Sequence, residues 1–331
     1  MTVVRSLEGW LWPEAAAKFS AFSFALGQAG EPPEVGCGGR LNSNPTAAGV
    51  TVETRFDIAS LTKLFTATLT SMLASEGQID LDAPISDWMQ IEGLLGTTTA
   101  RELLTHSSGL PAEWEEQDTR SRTIDSLLAV VPDHSQKGKL VYSCTGYSLL
   151  AVGIERLTGE RFDQVLGRKL LKPLGLSETG YLPSEATTNI ATSCTPEEGF
   201  EAGTVHDPRA RALDGISGNA GLFSTAGDLF KFLSEVVTGR SGIIDAQVRA
   251  DLFKPVVSGE WEQSIGFRFR DFARLGSNSH FFSHTGFTGT LAMVNPETKQ
   301  LAVLLTNRLV CGTSREQMAS VYREFSERVF Q

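Results

Sequence analysis

The stretch FDIASLTK, residues 56–63, decides how this chain is organised. A short apolar run typical of a strand ends at Ala59, and apolar residues then recur at helical spacing from Leu61 until Gly77 ends the pattern. Ser60 therefore lies in the first helical turn, where free N–H groups and the positive end of the helix dipole favour a developing negative charge. Lys63 follows three residues later on the same helix face.

Ser60 and Lys63 together predict a nucleophile and its basic partner. A serine hydroxyl needs a neighbouring base, and a buried lysine whose pKa is lowered by desolvation can act as one. The same residues also fit a helix N-cap and a solvated charge, because S-x-x-K spacing often arises by chance. The interpretation therefore depends on what accompanies this pair further along the chain.

Composition limits the classes of protein to which the chain can belong. Its 331 residues can bury a large core in two subdomains, and 41% hydrophobic and 21% charged residues are typical of a globular protein. The net charge of −10 argues against a nucleic-acid partner. No apolar run reaches the about 20 residues of a membrane helix, and Glu8 and Glu14 stand where a signal peptide carries basic residues. We expect a cytoplasmic protein without a membrane partner.

Cysteine and histidine spacing gives no support for a metal or cofactor. His280 and His284 are four residues apart, but they lie in a strand-like run where that spacing does not mimic a helical pair of ligands. The cysteines fit no zinc or redox motif, and in a reducing compartment we expect free thiols at Cys37, Cys144, Cys194 and Cys311.

Strand patterns stand at both ends of the chain, with helical patterns between them. A helix is predicted over 8–28 and another over 314–330, with strands over 34–40, 50–58, 264–270, 281–285, 290–295 and 301–306. This order predicts an α+β fold, an antiparallel sheet flanked by helices and built from both termini, with an inserted mostly helical domain. The predicted boundaries are 1–64 and 258–331 for the sheet domain and 65–257 for the insertion, with a site at the seam between them.

Two later stretches carry side chains suited to acyl transfer. Tyr142 opens a helix, and a tyrosine near a lysine can hold a phenolate and shuttle a proton. In His284-Thr285-Gly286 the glycine lets a substrate approach the strand, and the N–H groups of Phe287 and Ser60 could bind an oxyanion. A buried tyrosine with one hydrogen bond and a turn that closes a strand are the structural alternatives.

In chain order, Ser60-x-x-Lys63, Tyr142-Ser143-Cys144 and His284-Thr285-Gly286 resemble the three motifs of the serine β-lactamase and penicillin-binding-protein superfamily. Residues 81–84, 101–110 and 220–229 look like its class C, esterase-like branch. The resemblance runs from about residue 50 to 310 and implies a β-lactamase/DD-peptidase-like fold with a covalent acyl-serine intermediate.

The resemblance also implies roles for individual residues. Ser60 would be the nucleophile, Lys63 and Tyr142 its proton-transfer pair, and the N–H groups of Ser60 and Phe287 the oxyanion hole. Which of Lys63 and Tyr142 is the base stays open, because the two would titrate as a coupled pair. The residues expected to bind substrate are Cys144, His284, Thr285 and Gly286.

Two positions depart from the usual motifs of the superfamily. The second motif usually ends in Asn, and the thiol of Cys144 cannot supply an amide's paired donor and acceptor. The third motif usually begins with Lys, whereas a histidine such as His284 is mostly neutral near pH 7. Both changes remove features suited to penicillins and to peptidoglycan stem peptides, so we do not expect resistance to penicillin.

Three functions remain open at this point. The first is a serine hydrolase that cleaves a small ester or amide, the second an acyltransferase that passes the acyl group to an amine or alcohol, and the third a catalytically silent binding module. Cys144 beside a lysine–tyrosine pair is an alternative nucleophile. His206 and Asp207 either contact substrate at the rim of the site or anchor a loop. The sequence does not predict the oligomeric state.

Overall fold

A computed structural model describes residues 3–183, 189–194, 201–271 and 280–330 of the chain. Its ten strands are β1 (Ala21–Gln28), β2 (Glu34–Gly39), β3 (Phe56–Asp57), β4 (Phe223–Ser224), β5 (Val257–Ser258), β6 (Glu262–Gln263), β7 (Arg268–Asp271), β8 (His280–Thr285), β9 (Leu291–Val294) and β10 (Gln300–Thr306), counted over the described residues.

The α-helices within the same described ranges are α1 (Val3–Lys18), α2 (Thr62–Ser75), α3 (Ser86–Met89), α4 (Gly93–Gly96), α5 (Ala100–Leu104), α6 (Arg120–Leu128), α7 (Cys144–Thr158), α8 (Phe162–Leu166), α9 (Lys172–Leu174), α10 (Pro208–Ala212), α11 (Ala226–Thr238), α12 (Ala246–Leu252) and α13 (Arg315–Phe330). Short 3-10 turns occupy Ala59–Leu61, His134–Gln136 and Arg308–Cys311, and a π-helical turn occupies Gly167–Leu171.

Eight strands form one antiparallel sheet in the order β2-β1-β10-β9-β8-β7-β6-β5, and β3 pairs with β4 in a separate ribbon. Strand β1 lies against β10 from Phe22 opposite Thr306 to Gln28 opposite Gln300. Strands from the N-terminal and C-terminal parts of the chain therefore lie side by side, one strand in from the β2 edge of the sheet, and the predicted α+β fold is confirmed. The division at residues 64 and 258 remains a prediction.

The helix predicted over 8–28 is wrong in its second half. Helix α1 ends at Lys18, and residues 21–28 form the strand β1 between β2 and β10. Residues 21–26 are buried throughout, so both faces of the strand are covered and the sequence lacks the alternation of buried apolar with exposed polar residues. The strand predicted over 50–58 is likewise reduced to Phe56–Asp57, and of the strand predicted over 264–270 only the last three residues are in a strand, at the beginning of β7.

Helices cover both faces of the large sheet. On one face α1 and α13 pack through side chains such as Leu11 and Phe325. On the other face α11 lies against β1 and β10, and Phe232 of α11 stacks on Phe65 of α2 with ring centroids 4.0 Å apart. This packing fixes α2, and with it the turn that precedes it, between the sheet and the helical part of the chain. Among the described helices, none is long and apolar enough to cross a membrane.

Candidate active site

Ser60 stands in a tight turn between β3 and α2. The residue before it, Ala59, has φ +48°, a left-handed conformation that residues other than glycine rarely adopt. The Asp57 side chain stabilises this turn, because its Oδ1 accepts the Ala59 N–H at 2.8 Å. Ser60 is half-buried at the beginning of the helix, where the pattern of residues 56–63 predicts it.

Lys63 is fully buried beneath Ser60 and has three acceptors. Its Nζ lies 3.1 Å from Ser60 Oγ, 2.9 Å from the carbonyl oxygen of Asn219 and 3.5 Å from Cys144 Sγ. A lysine ammonium has three N–H donors and no acceptor, so these contacts match the charged form of the side chain. The S-x-x-K spacing therefore brings amine and hydroxyl together, as the shared helix face predicts.

The pKa of Lys63 is raised, whereas the sequence-based expectation is that desolvation lowers it. Burial by itself would lower this pKa, but the electrostatic interactions of Lys63 with Cys144 and Tyr142 outweigh burial, and Asp207 adds to their effect. The expectation of a lowered pKa is therefore wrong. Lys63 is an ammonium group that donates to Ser60 Oγ in the resting site.

Tyr142 lies half-buried beside Lys63, whose Nζ is 5.2 Å from the centroid of the phenol ring. His106 and His284 also flank the ring, with centroids 4.5 Å and 6.2 Å from that of Tyr142. The guanidinium carbon of Arg268 is 4.5 Å from the Tyr142 centroid. The three predicted polar groups Ser60, Lys63 and Tyr142 thus belong to one site.

His106 and Arg268 are members of this site that the motifs do not single out. His106 lies within the stretch 101–110 that resembles the class C branch, and its left-handed φ of +57° is visible only in the structure. Arg268 is on β7, and its guanidinium carbon is also 4.5 Å from the ring of Trp261. Strand pairing places Arg268 opposite Ser283 next to the third motif, a neighbour relation that no local pattern reveals.

The two histidines beside Tyr142 are neutral and hold opposite tautomers. Burial lowers the pKa of His106 well below its ordinary value, and the positive charges of Lys63 and Arg268 lower it further. The pKa of His284 is lowered well below its ordinary value by burial and by the same two cations. His106 Nδ1 accepts the Ser143 N–H at 3.1 Å, so its proton is on Nε2. His284 Nδ1 lies 3.0 Å from the Thr285 carbonyl and must donate, so its Nε2 is an acceptor. Within the described part of the chain, neither Nε2 has a hydrogen-bond partner.

The end of β8 packs directly against the Ser60 turn. A Cβ added to Gly286 would collide with Thr290 Oγ1 and would lie 2.7 Å from the Ile58 carbonyl oxygen, so only glycine allows this approach. The hydroxyl of Thr288 donates to the Asp57 carbonyl at 2.7 Å, and that of Thr290 donates to the Ile58 carbonyl at 3.2 Å. These contacts hold the segment that carries Phe287 beside the turn that carries Ser60.

The other residues predicted to bind substrate lie beside the same group of side chains. Thr285 precedes Gly286 and is half-buried, as is Cys144 at the beginning of α7. His284 is fully buried, and Phe287 is 38% exposed. The roles of these residues in oxyanion and substrate binding remain predictions.

His206 and Asp207 anchor a loop beneath the site. The backbone N–H and the Nδ1 of His206 lie 2.8 Å and 2.9 Å from Asp57 Oδ2, and its side chain is 8% exposed. Asp207 accepts the N–H of Ala210 at 2.9 Å and thereby caps α10. Of the two interpretations, these contacts favour the anchor.

Known proteins resemble this chain over most of its length. Residues 33–326 match the family model described as Beta-lactamase. The chain is 30% identical over 312 residues to the N-acetylmuramyl-L-alanine amidase of Bacillus subtilis (strain 168), covering 79% of this chain and 69% of that one. It is 26% identical over 318 residues to a putative D-alanyl-D-alanine carboxypeptidase of Escherichia coli (strain K12), covering 82% and 72%.

A solved structure shares the fold over nearly the whole chain. It is that of EstCE1, a hydrolase with promiscuous acyltransferase activity, with a TM-score of 0.79 and 22% sequence identity. The match covers 98% of this chain and 96% of that one. At this identity the likeness establishes the fold alone.

Proposed function

Because this chain belongs to the beta-lactamase family of hydrolases, we propose that it cleaves an ester or amide through a covalent acyl-Ser60 intermediate. The observation that carries the proposal is the 3.1 Å contact between the buried Lys63 Nζ and Ser60 Oγ. Burial of an ammonium group costs free energy through loss of hydration. At this position, beside a serine at the beginning of a helix, the ammonium stabilises the negative charge that Ser60 develops as it attacks.

The raised pKa of Lys63 supports Tyr142 as the base. The ammonium donates to Ser60 Oγ, so the hydroxyl proton of Ser60 has to pass to another group, and the Tyr142 phenolate stabilised by Lys63 receives it. Ser60 Oγ bonds to the substrate carbonyl carbon, and the resulting oxyanion accepts from the N–H groups of Ser60 and Phe287. The bond to the leaving group then breaks, and the leaving group takes the proton from Tyr142. Water, deprotonated in the same way, releases the acyl group from Ser60.

The chemistry of the site favours a small substrate without the carboxylate of a penicillin. His284 offers no positive charge where the superfamily usually has a lysine, since its pKa is lowered well below the ordinary value. Cys144 contacts Lys63 and offers a thiol instead of an amide to a substrate. Relatives named as an amidase and as a carboxypeptidase support an amide as well as an ester among the substrates to be tested.

An acyltransferase is the second candidate function. The same acyl-Ser60 would pass its acyl group to an amine or alcohol if that acceptor enters the site faster than water. The shared fold with a hydrolase of promiscuous acyltransferase activity makes this alternative worth testing. A silent binding module is the third candidate, and the intact contact of Lys63 with Ser60 argues against it.

The test is the intact mass of the protein after exposure to p-nitrophenyl acetate and, separately, to a fluorophosphonate. We expect an adduct on the wild type and on Ser320→Ala, an exposed serine on α13, and none on Ser60→Ala. An adduct that persists in Ser60→Ala would move the nucleophile to another residue such as Cys144, and no adduct on the wild type would favour the binding module. A panel of amines added to the acylated enzyme then separates hydrolysis from transfer by the product formed.

A further inference from the structure

We propose that the dipeptide His206-Asp207 is a positioning unit for acylation that holds both sides of the site at once. His206 holds the Ser60 turn and the Phe287 segment, and Asp207 holds the backbone group that binds Lys63. The inference rests on the proposed function, because it assigns positioning residues to the same acyl-Ser60 site. Neither residue touches the reacting atoms.

The first connection runs from His206 through Asp57 to the nucleophile. The Asp57 side chain is fully buried, and both of its oxygens are used. Oδ1 accepts the N–H of Ala59 at 2.8 Å, and Oδ2 accepts the backbone N–H and the Nδ1–H of His206. Asp57 therefore links His206 to the left-handed residue that precedes Ser60, so a shift of the His206 loop is transmitted to the nucleophile through one carboxylate.

The second connection runs from His206 to the segment with the predicted oxyanion donor. The His206 ring stacks on the Phe287 ring with centroids 5.4 Å apart and an angle of 11° between the planes. The guanidinium carbons of Arg308 and Arg315 both lie 4.6 Å from the Phe287 centroid, and Arg308 Nε donates to the Phe287 carbonyl at 2.5 Å. Phe287 is thus held by its ring and by its carbonyl, which leaves its N–H little freedom to turn.

The third connection runs from Asp207 to Lys63 through Asn219, which is fully buried. Asn219 Nδ2 lies 3.3 Å from Asp207 Oδ2, and its Oδ1 accepts from the hydroxyls of Ser148 and Ser217 at 3.0 Å and 2.7 Å. The carbonyl of Asn219 accepts from Lys63 Nζ at 2.9 Å. Asp207 therefore fixes the peptide group that orients the ammonium toward Ser60.

The charges around His206 make this arrangement depend on pH. Burial by itself would lower the pKa of His206. The adjacent Asp57 carboxylate has a larger, opposite effect, to which Asp207 adds, so the pKa of His206 is raised. The positive charge of Arg211 opposes this rise. Burial would raise the pKa of Asp57, and the charge and hydrogen bonds of His206 lower it instead. On the Phe287 side the nearest charged groups are Arg308 and Arg315.

The pH dependence follows from the raised pKa of His206 and the lowered pKa of Asp57. The ion pair is complete between the lowered pKa of Asp57 and the raised pKa of His206. As the pH rises through the pKa of His206, the imidazolium loses its charge and the hold on the Ser60 turn weakens. As the pH falls through the pKa of Asp57, the carboxylate is neutralised with the same result. We therefore expect the acylation rate constant to fall as His206 is deprotonated.

The experiment compares His206→Phe and Asp207→Asn with the wild type. The phenylalanine keeps a ring against Phe287 but loses the hydrogen bond and the charge, and the asparagine keeps the shape of Asp207 without its charge. kcat and KM for p-nitrophenyl acetate and the rate of fluorophosphonate labelling are measured across pH. The exposed His134→Asn variant is the matched control.

For the folded His206→Phe and Asp207→Asn proteins we expect kcat to fall about 10- to 100-fold with KM nearly unchanged, because misplaced groups cost rate more than binding. In His206→Phe the decline of rate at high pH that belongs to His206 should disappear. His134→Asn should behave as the wild type. The inference is overturned if both variants retain kcat within about twofold of the wild type, or if the decline persists in His206→Phe.

A measurement on the wild type alone tests the inference even if the variants fail to fold. NMR titration of the His206 imidazole gives its pKa, and the fall in labelling rate should follow the same titration curve. A labelling rate that stays constant through that titration would overturn the inference. Failure of the proposed function is a separate result, because then the wild type forms no adduct on Ser60 at any pH.

Discussion

Cys144 shows how one side chain can change the chemistry of a shared motif. Its Sγ lies 3.5 Å from Lys63 Nζ and takes the place of an amide that would present both a donor and an acceptor. The electrostatic interaction with Cys144 also raises the pKa of Lys63. Cys144 therefore helps to keep the lysine charged, and its half-buried thiol lies beside Ser60 and Lys63, where we propose that substrate binds.

We expect a small methylthiolating reagent to inactivate the wild type through Cys144. The added group would fill the space next to Ser60, and acylation by p-nitrophenyl acetate should fall to about a tenth or less, since reaction at an accessible thiol goes to completion. Cys144→Ser, which keeps a hydroxyl acceptor for Lys63, should resist the reagent. Cys311→Ser should remain sensitive, because Cys311 is exposed outside the site. Loss of activity in Cys144→Ser after treatment would contradict this prediction.

At the scale of secondary structure, the site depends on the junction of β8 with the turn before α2. Gly286 lets the two segments touch, and Thr288 and Thr290 fasten them with side-chain hydrogen bonds to backbone carbonyls. One of these acceptors is the backbone carbonyl of Asp57, and the side-chain carboxylate of the same residue binds His206. The contacts of His206 therefore reach the same junction. The geometry of the predicted oxyanion hole is thus a property of two elements that meet, and not of either one alone.

Substitution of Gly286 by alanine should damage the site more than the fold. The added Cβ meets Thr290 and the Ile58 carbonyl, so the strand end has to move away from Ser60. We expect a stability loss of roughly 1–3 kcal/mol, as for overpacking, and a fall of about 10- to 100-fold in labelling rate, measured by urea unfolding and by intact mass against time.

Gly167→Ala is the matched control for this change. Gly167 lies in the π-helical turn with φ −57°, and a Cβ there meets nothing within 4 Å. An alanine should change stability by no more than about 1 kcal/mol and leave labelling unaffected. Equal labelling rates for the two variants would show that the Gly286 contact does not position the acylation site.

At the scale of the whole molecule, helices α1 and α13 cover the face of the sheet away from Ser60. They bury one apolar cluster on that face, whereas Leu61 and Leu64 beside Ser60 belong to the larger core. Phe325 of α13 is fully buried, and its ring centroid is 6.5 Å from that of Phe24 on β1. The contacts of α13 are therefore separate from those around Ser60.

Phe325→Ala should separate stability from activity. Removal of a buried phenylalanine ring costs about 3–5 kcal/mol, which chemical denaturation would measure as a lower free energy of unfolding. At temperatures where the variant stays folded, we expect kcat to remain within about twofold of the wild type. The exposed Arg323→Ala on the same helix is the control and should be close to neutral. A large fall in kcat of the folded variant would mean that α13 also positions the site.

Local patterns predict most of the fold and fail where a residue is buried on every side. The strands predicted over 281–285, 290–295 and 301–306 and the helix after Ser60 appear close to their predicted places. Strand β1 is mistaken for helix because both of its faces are buried and neither is marked by exposed polar residues. Its identity depends on β2 and β10, and β10 lies at the other end of the chain.

The sequence by itself determines the contact of Ser60 with Lys63, because a spacing of three residues at the beginning of a helix fixes it locally. Only the tertiary structure decides the charge of Lys63, since that depends on burial and on Cys144 and Tyr142 brought from elsewhere in the chain. The same holds for the pairing of Asp57 with His206 across 149 residues, which no local pattern encodes. The contact between residues close in sequence follows from their spacing along the chain. The protonation state of a buried group and its contacts with distant residues depend on which charges and hydrogen-bond partners the fold places beside it in a low-dielectric interior.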